Sequence, residues 1–504
     1  MKRKRNFKLI TMITFIISFI ALVLGYAIYG KFIAKVFAAD DRQTPAIVKN
    51  DGIDYVPMPN WKIFMIQFLN IAGTGPIFGA IMGAKFGPSA YLWIIFGCIF
   101  AGAVHDYLSG MLSMRNGGSD LPGIIGKYLG NVPKTIMLVF CVVLLLMVGT
   151  VFVYSPAEIL GHICGTNLIW IAIIFVYYII ATMLPIDKII GKIYPIFSFS
   201  LLFMAVALIV ALLVKMPVLP EIWDGLGNMA KENDPSFADN IFPCLFITIA
   251  CGAISGFHAT QSPLMARCMK SEKMGRPIFY GAMITEGLVA LVWATVAMWF
   301  FYEQPVAGYD QIAGTKGFHT SAPMVVTLVC NDWLGVVGGI LAMLGVVAAP
   351  ITSGDTAFRS ARLIIASALK LDQKSKRNRL YICVPVFLAS IALLVWQINN
   401  ADGFQVIWQY FGWSNQTLSV FTLWAITVYL VRKKKPYIIT LIPALFMTTV
   451  CSTYLYISKQ AFGLPENVAY TLGIATFIVA FAWFAVWMKK NQKKQIEIGE
   501  SSDD

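Results

Sequence analysis

With 504 residues, 58% of them hydrophobic and 13% charged, the chain carries about half the charged share of a soluble globular protein, which excludes a water-soluble enzyme. Disorder is excluded by the same numbers, because a chain stays unfolded only at low hydrophobicity; 40 Gly without period and nine Cys exclude collagen-like and disulfide-stapled folds. What remains is an all-α polytopic membrane protein.

A spanning helix needs roughly 20 apolar residues to cross a hydrocarbon core about 30 Å thick. Thirteen such segments follow one another, at residues 9–33, 61–84, 90–113, 135–155, 167–185, 193–215, 241–263, 278–302, 333–355, 380–397, 404–431, 437–458 and 468–488. The first follows Lys2, Arg3, Lys4 and Arg5 and precedes Ala38-Ala39, as a cleaved signal would. Its apolar run is longer than the usual signal core of about 7–15 residues, so it reads as a retained helix.

The net charge of +13 suggests nucleic acid, but its placement points to a membrane instead. Segments 114–134, 186–192, 264–277, 356–379, 432–436 and the tail from Lys489 hold 24 Lys and Arg; the alternate loops 85–89, 156–166, 215–240, 303–332, 398–403 and 459–467 hold five. By the positive-inside rule the rich side is cytoplasmic, which puts the C-terminus inside a bacterial cytoplasmic membrane. Thirteen spans then place the basic N-terminus outside, against the same rule, and leave the orientation of the first helix open.

Cys98, Cys141, Cys164, Cys244, Cys251, Cys268, Cys330, Cys383 and Cys451 are scattered singly, as small packing residues are. His105, His162, His258 and His319 show no zinc-binding spacing, and no Gly-x-x-x-x-Gly-Lys-Ser/Thr loop is present for a nucleotide-driven pump. No catalytic constellation, transition-metal site, cofactor or nucleic-acid partner is therefore expected.

Two spans are irregular in the same way. The second carries Asn70-Ile71-Ala72-Gly73-Thr74-Gly75-Pro76 at its middle, and the seventh carries Cys251-Gly252-Ala253-Ile254-Ser255-Gly256-Phe257-His258-Ala259-Thr260-Gln261-Ser262-Pro263. Five spans separate them, and an odd number of spans per unit puts two units in opposite orientation, which is an inverted repeat. The chain then divides into an N-terminal helix and connecting segment (1–60), a first five-helix unit (61–215), an extracytoplasmic loop (216–240), a second unit (241–431), two further helices (432–488) and a tail (489–504). Gly and Pro within a span free backbone groups that hydrocarbon cannot satisfy, so such clusters line a cavity or bind something; close packing through small residues is the plainer alternative.

The stretch Asn70–Pro76, then Gly97-Cys98-Ile99-Phe100-Ala101-Gly102-Ala103-Val104-His105-Asp106-Tyr107 and Ile124-Ile125-Gly126-Lys127-Tyr128-Leu129-Gly130, resembles the carbon starvation protein A (CstA) family. Thr44-Pro45-Ala46, Asn50-Asp51-Gly52 and Tyr55-Val56-Pro57 look like the cytoplasmic segment ahead of that family's second span. The likeness continues through Ser255–Pro263, Tyr280–Gly287 and Ile351–Arg359, and covers roughly residues 26–430. The resemblance implies a LeuT-like 5+5 inverted repeat with one extra helix before and two after, within the amino acid, polyamine and organocation superfamily. It also implies uptake of pyruvate or of peptides under carbon starvation.

Asn70, Gly73, Thr74 and Gly75 in one cluster, with Ser255, Gly256, His258 and Gln261 in the other, form the candidate substrate site: exposed amides suit a carboxylate and the side chains add directional hydrogen bonds. Neither broken segment holds an acid to catch an α-amino group, which leans the reading from peptide to a small carboxylate such as pyruvate. For a coupling ion two readings stand. Ala349-Pro350-Ile351-Thr352-Ser353 offers a freed carbonyl and two hydroxyls, oxygen ligands for sodium. The pattern is similar to the sodium site of sodium-coupled LeuT-like transporters, with Ala72 of the first break completing it; hydroxyls bonding back to their own helix are the alternative. Protons are the rival, because ionisable groups at membrane depth are functional candidates. Those groups are His105, Asp106, Glu286 and Asp355; interhelical pairing, or for Asp355 an ion pair with Arg359 one turn on, is the alternative. A channel needs a continuous polar path, usually at an oligomer axis, and two broken helices in one chain fit an alternating-access symporter better.

Overall fold

A computed structural model describes residues 12–184, 190–233, 239–302, 320–400 and 403–500. The Lys2–Arg5 run, His319, most of the 303–332 loop and the last four residues of the tail lie outside them.

The chain opens with α1 (Ile13–Phe37), one long helix with a π turn at Gly25–Tyr29. Helices α2 (Asn60–Ile71) and α3 (Gly75–Ala84) follow, bent by 53° at the residues between them. The bend lies where the sequence predicts it. Ala72 leaves helical geometry, and Pro76, which has no N–H to leave unpaired, starts the next half. Then come α4 (Ser89–Arg115), the short α5 (Leu121–Leu129), α6 (Asn131–Cys164), α7 (Asn167–Met183) and α8 (Ile190–Lys215).

A second run repeats the pattern. Helix α9 (241–248) is broken at 249–255 from α10 (Gly256–Ala266), and α11 (Glu272–Tyr302), α12 (Ala322–Leu369), α13 (Lys376–Asn399) and α14 (Gly403–Arg432) follow. Helices α15 (Ile438–Ile457) and α16 (Glu466–Glu500) close the chain. Among the described residues nine helices are long and apolar enough to span alone, and the α2–α3 pair makes ten. The other three expected segments are the 17-residue α7, the pair α9 and α10, and α14, whose Gln409, Asn415, Gln416 and Ser419 dilute its hydropathy.

Two boundaries correct the sequence reading. The expected span 333–355 belongs to a helix that runs from Ala322, kinks at Gly335 (φ 65°) and continues to Leu369. Asp355, Arg359 and Arg362 end the apolar run but are buried in protein rather than in lipid, so the helix goes on. Helix α6 likewise passes through Pro156, which the sequence reading takes for its end.

Helices α2 and α3 with α9 and α10 form the centre, enclosed by α4, α6, α11, α12 and α14. Glycines set the close approaches. A Cβ on Gly345 of α12 would meet the backbone of Ser200 in α8 at 2.8 Å, and one on Gly73 would meet the Phe152 ring of α6 at 2.8 Å and Ser353 Oγ at 3.2 Å. Without a hydrophobic drive between helices in lipid, this closeness supplies the packing energy. Helix α11 is 89% buried whereas α16 is 11% buried, so the first is a core helix and the second lies on the outside of the bundle. The eight described cysteines are buried and unpaired, as packing residues are.

Candidate functional site

The two breaks touch. A Cβ on Gly75 would overlap the side chain of Cys251, and one on Gly79 would meet the Thr248 carbonyl at 2.8 Å. Gly75 and Gly79 are therefore needed where the two irregular segments cross, and Gly73 where the first passes α6 and α12, reasons the spacing alone did not give.

Around the first break the polar side chains are buried without partners. Both amide atoms of Gln67 and of Asn70, and Thr74 Oγ, lack a hydrogen bond although all three residues are fully buried. In a membrane interior each such group costs about 1–3 kcal/mol, so this set marks a place where something else supplies the bonds. Gln67, one turn before Asn70, was not read as a site residue from sequence; its position deep in an apolar helix was the available signal.

The second break is latched instead. Asn415 Oδ1 of α14 accepts from the Phe257 N–H at 2.6 Å and from Ser255 Oγ at 3.0 Å, which caps the N-terminus of α10. A Cβ on Gly256 would overlap the α14 backbone at Asn415 and Ser419. Ser255 and Gly256 thus face α14. Asn415 was missed because it lies 160 residues away in sequence.

His258, in the first turn of α10, joins what the sequence had divided between substrate and proton. Its Nδ1 is 2.8 Å from Asp106 Oδ2, and its Nε2 stands 3.4 Å from Glu286 Oε2. The other Asp106 oxygen is 2.8 Å from His105 Nδ1. Four ionisable groups from α4, α10 and α11 make one fully buried row, and Cys251 Sγ lies within 4.8 Å of the facing His258 and Glu286 atoms. Both Glu286 oxygens, His258 Nε2, His105 Nε2 and the Gln261 carbonyl lack a well-aligned partner. An imidazole between two carboxylates can accept a proton on one side and release it on the other.

On α12, Ser353 Oγ donates to the Leu69 carbonyl at 2.9 Å, so the first break and the Ala349–Ser353 segment meet. Thr352 Oγ bonds back to the carbonyls of Ala348 and Ala349. Ala72, three residues after Leu69, is the C-cap of α2 and its N–H donates to the Phe68 carbonyl. Asp355 makes no ion pair with Arg359 within 4.0 Å: Tyr194 OH stands 2.8 Å from its Oδ2 and from the Thr352 carbonyl, and its Oδ1 is unpartnered.

Access differs at the two ends. At the end poor in Lys and Arg a cavity of about 420 Å³, lined by Met82, Asp239, Thr248, Trp408, Gln409 and Lys459, reaches down to the last residue of α9. At the basic end the 38–59 segment closes the bundle: Met58 N–H donates to the Cys268 carbonyl, Thr44 Oγ to the Met269 carbonyl, and the Asp54 carboxylate pairs with Arg362 at 2.9 Å and Arg359 at 3.4 Å. Burial alone would raise the Asp54 carboxyl, but Arg362 and Arg359 outweigh it and hold it below the usual aspartate range.

Two broken helices meeting in a ten-helix core define a multi-pass membrane protein of the LeuT fold. Solved structures agree: a manganese transporter from Eremococcus coleocola (TM-score 0.54, 11% identity, 88% of this chain and 99% of that one), MhsT in complex with L-phenylalanine (0.54, 12%, 84% and 99%) and a Na+-coupled sialic acid symporter (0.51, 13%, 92% and 96%). The family described as carbon starvation protein CstA matches residues 10–165, 153–328 and 311–454, and the chain belongs to that family. Among its relatives are an uncharacterized membrane protein of Haemophilus influenzae (47% identical, 60% of this chain and 94% of that one) and the peptide transporter CstA of Bacillus subtilis (28%, 94% and 95%). The pyruvate/proton symporter BtsT of Escherichia coli is 28% identical over 57% of this chain and 49% of its own length. Family and fold are those of transporters.

Proposed function

We propose that the protein is an ion-coupled symporter of a bacterial cytoplasmic membrane, its C-terminus inside, that imports pyruvate or a similar small carboxylate. The observation that carries this reading is the set of buried, partnerless polar atoms at the first break, Gln67, Asn70 and Thr74. Thr74 immediately precedes half-helix α3, whose first amides favour negative charge, while Gln67 and Asn70 face the break from the last turns of α2. The five-helix units are assigned to 61–215 and 241–431, with substrate entering from the cavity above Thr248.

Protons are the coupling ion this arrangement favours. The row His105, Asp106, His258 and Glu286 reaches the second break, next to where the substrate binds, so charge on the row and charge on the substrate influence each other at short range. Sodium is the second reading, held by the carbonyls near Leu69, Ala72 and Ala349 with Thr352 and Ser353; the 2.9 Å contact between Ser353 and Leu69 supports it. A peptide as substrate also gains support, because Asp106 and Glu286 stand beside the second break and offer acids that the linear sequence placed elsewhere.

The test is uptake of labelled pyruvate and of a labelled dipeptide into proteoliposomes, with proton and sodium gradients imposed separately. Proton-driven accumulation of pyruvate is expected. Uptake of neither compound in response to either gradient overturns the proposal.

A further inference from the structure

Along α12 the residues Thr352, Asp355, Arg359 and Arg362 are spaced by three or four, so they share one face of the helix, running from the first break to the basic end. At the end of that stripe lies a concentration of buried positive charge. Arg359 and Arg362 are fully buried, Arg379 is 5% exposed, and all three converge on the last carbonyls of α7. Arg359 donates to Ala181 and Leu184, Arg362 reaches Thr182 and Arg379 donates to Met183.

The compensation is incomplete. A helix C-terminus offers about half a negative charge, and the carboxylate paired with these guanidiniums is that of Asp54. Three guanidinium N–H groups, the Nε of Arg359, Arg362 and Arg379, have no partner. Both oxygens of Asp54 rest on Arg362 Nη2, at 2.9 and 3.2 Å, while Arg359 Nη1 approaches one of them. Charge-assisted guanidinium N–H bonds of this kind suit oxyanions such as carboxylates.

We propose that Arg359 and Arg362 form an inner binding site for a carboxylate ligand, and that Asp54 fills it as a built-in stand-in. Asp54 belongs to the segment that leads directly into α2 at Asn60, so a swing of α2 about its break withdraws Asp54 and leaves the site to the carboxylate of the departing substrate. When α2 returns, Asp54 displaces that ligand and reseals the basic end. Asp51 prepares the stand-in: its Oδ1 accepts from the N–H groups of Ile53, Asp54 and Tyr55 and fixes the turn that presents Asp54. The role in transport rests on the carboxylate reading given above, whereas binding at the arginines does not.

Chemical rescue tests the site. Asp54→Ala in purified protein lowers the thermal midpoint, because two buried guanidiniums lose their counter-charge. Sodium acetate is expected to restore most of that loss, at a half-saturating concentration about tenfold below any effect on wild type, and sodium chloride at equal ionic strength is expected not to. Asp54→Ser, which also vacates the place of the carboxylate, carries the same comparison if the Ala variant does not fold. Rescue should vanish in Asp54→Ala/Arg362→Gln and persist in Asp54→Ala/Gln67→Met, where the first break is altered by a side chain of similar size. Equal rescue by chloride, rescue surviving Arg362→Gln, or rescue lost with Gln67→Met each overturns the proposal. Failed pyruvate uptake beside intact acetate rescue overturns the transport reading and leaves this site standing.

Discussion

The first and second breaks have the same place in their repeats but differ in how their polar groups are held. At the first, Gln67, Asn70 and Thr74 are buried with polar atoms unpaired; at the second, Ser255 and the Phe257 amide are held by Asn415, and His258 by Asp106. A backbone interruption thus leaves the chain with free polar groups, and the neighbouring helices decide whether they are spent on the protein or kept for a ligand. In the proposed function that difference assigns substrate binding to the first break and leaves the second as a post that holds the ionisable row.

If the second break carries the proton, Glu286→Gln gives the largest effect. The variant cannot titrate, so proton-driven accumulation should fall by more than about tenfold, equivalent to more than about 1.4 kcal/mol of driving force, while substrate exchange at equal pH survives. Accumulation and exchange that decline together would assign Glu286 a structural part only.

Asn415→Ala attacks the latch. Leaving the Phe257 N–H and Ser255 hydroxyl unpaired in a dry interior should cost about 1–3 kcal/mol of stability, read as a lower thermal midpoint, with Asn415→Asp retaining most of it through its remaining acceptor oxygen. An unchanged midpoint in the Ala variant would mean that α10 needs no cap from α14.

Gln67→Met sharpens the comparison from the other side. Replacing a partnerless buried amide by an apolar chain of similar size should leave stability unchanged or raise it by about 1 kcal/mol, while KM for uptake rises several-fold. A variant that is less stable and transports normally would show Gln67 to be a structural group.

The smallest effect concerns the seal at the basic end. The Asp54 carboxyl is held below its ordinary value, so its contribution is complete above the unfolded value of about 3.9 and is lost as pH falls through the lower folded value. The thermal midpoint of wild type should decline more steeply than that of Asp54→Asn as pH drops below about 4. Parallel declines would remove Asp54 from the seal.

Much of the architecture was legible beforehand because bilayer thickness and backbone hydrogen bonding constrain sequence directly. Runs of apolar residues announced the spans, and Gly73, Gly75, Gly256 and Pro76 announced the two breaks, since Gly and Pro have few other uses within a span. Their separation by five spans gave the inverted repeat. The same rule failed where a helix is buried in protein: hydropathy ended the ninth span at Asp355, yet α12 continues to Leu369 because Arg359 and Arg362 find partners in Asp54 and α7.

The sequence also marked Asp106 and Glu286 by the cost of placing such groups in hydrocarbon, and His258 by its place in the second broken span. It could not assemble them, because Asp106 and His258 are 152 residues apart, and which helix passes close to which is set by glycine contacts such as Gly102 against Ala253 and Gly287 against Cys98. Local spacing determined where the chain breaks and which residues are too polar for lipid. Only the packing of helices around those breaks decided which polar groups are paired and which remain free, because pairing depends on distances between segments remote in the chain.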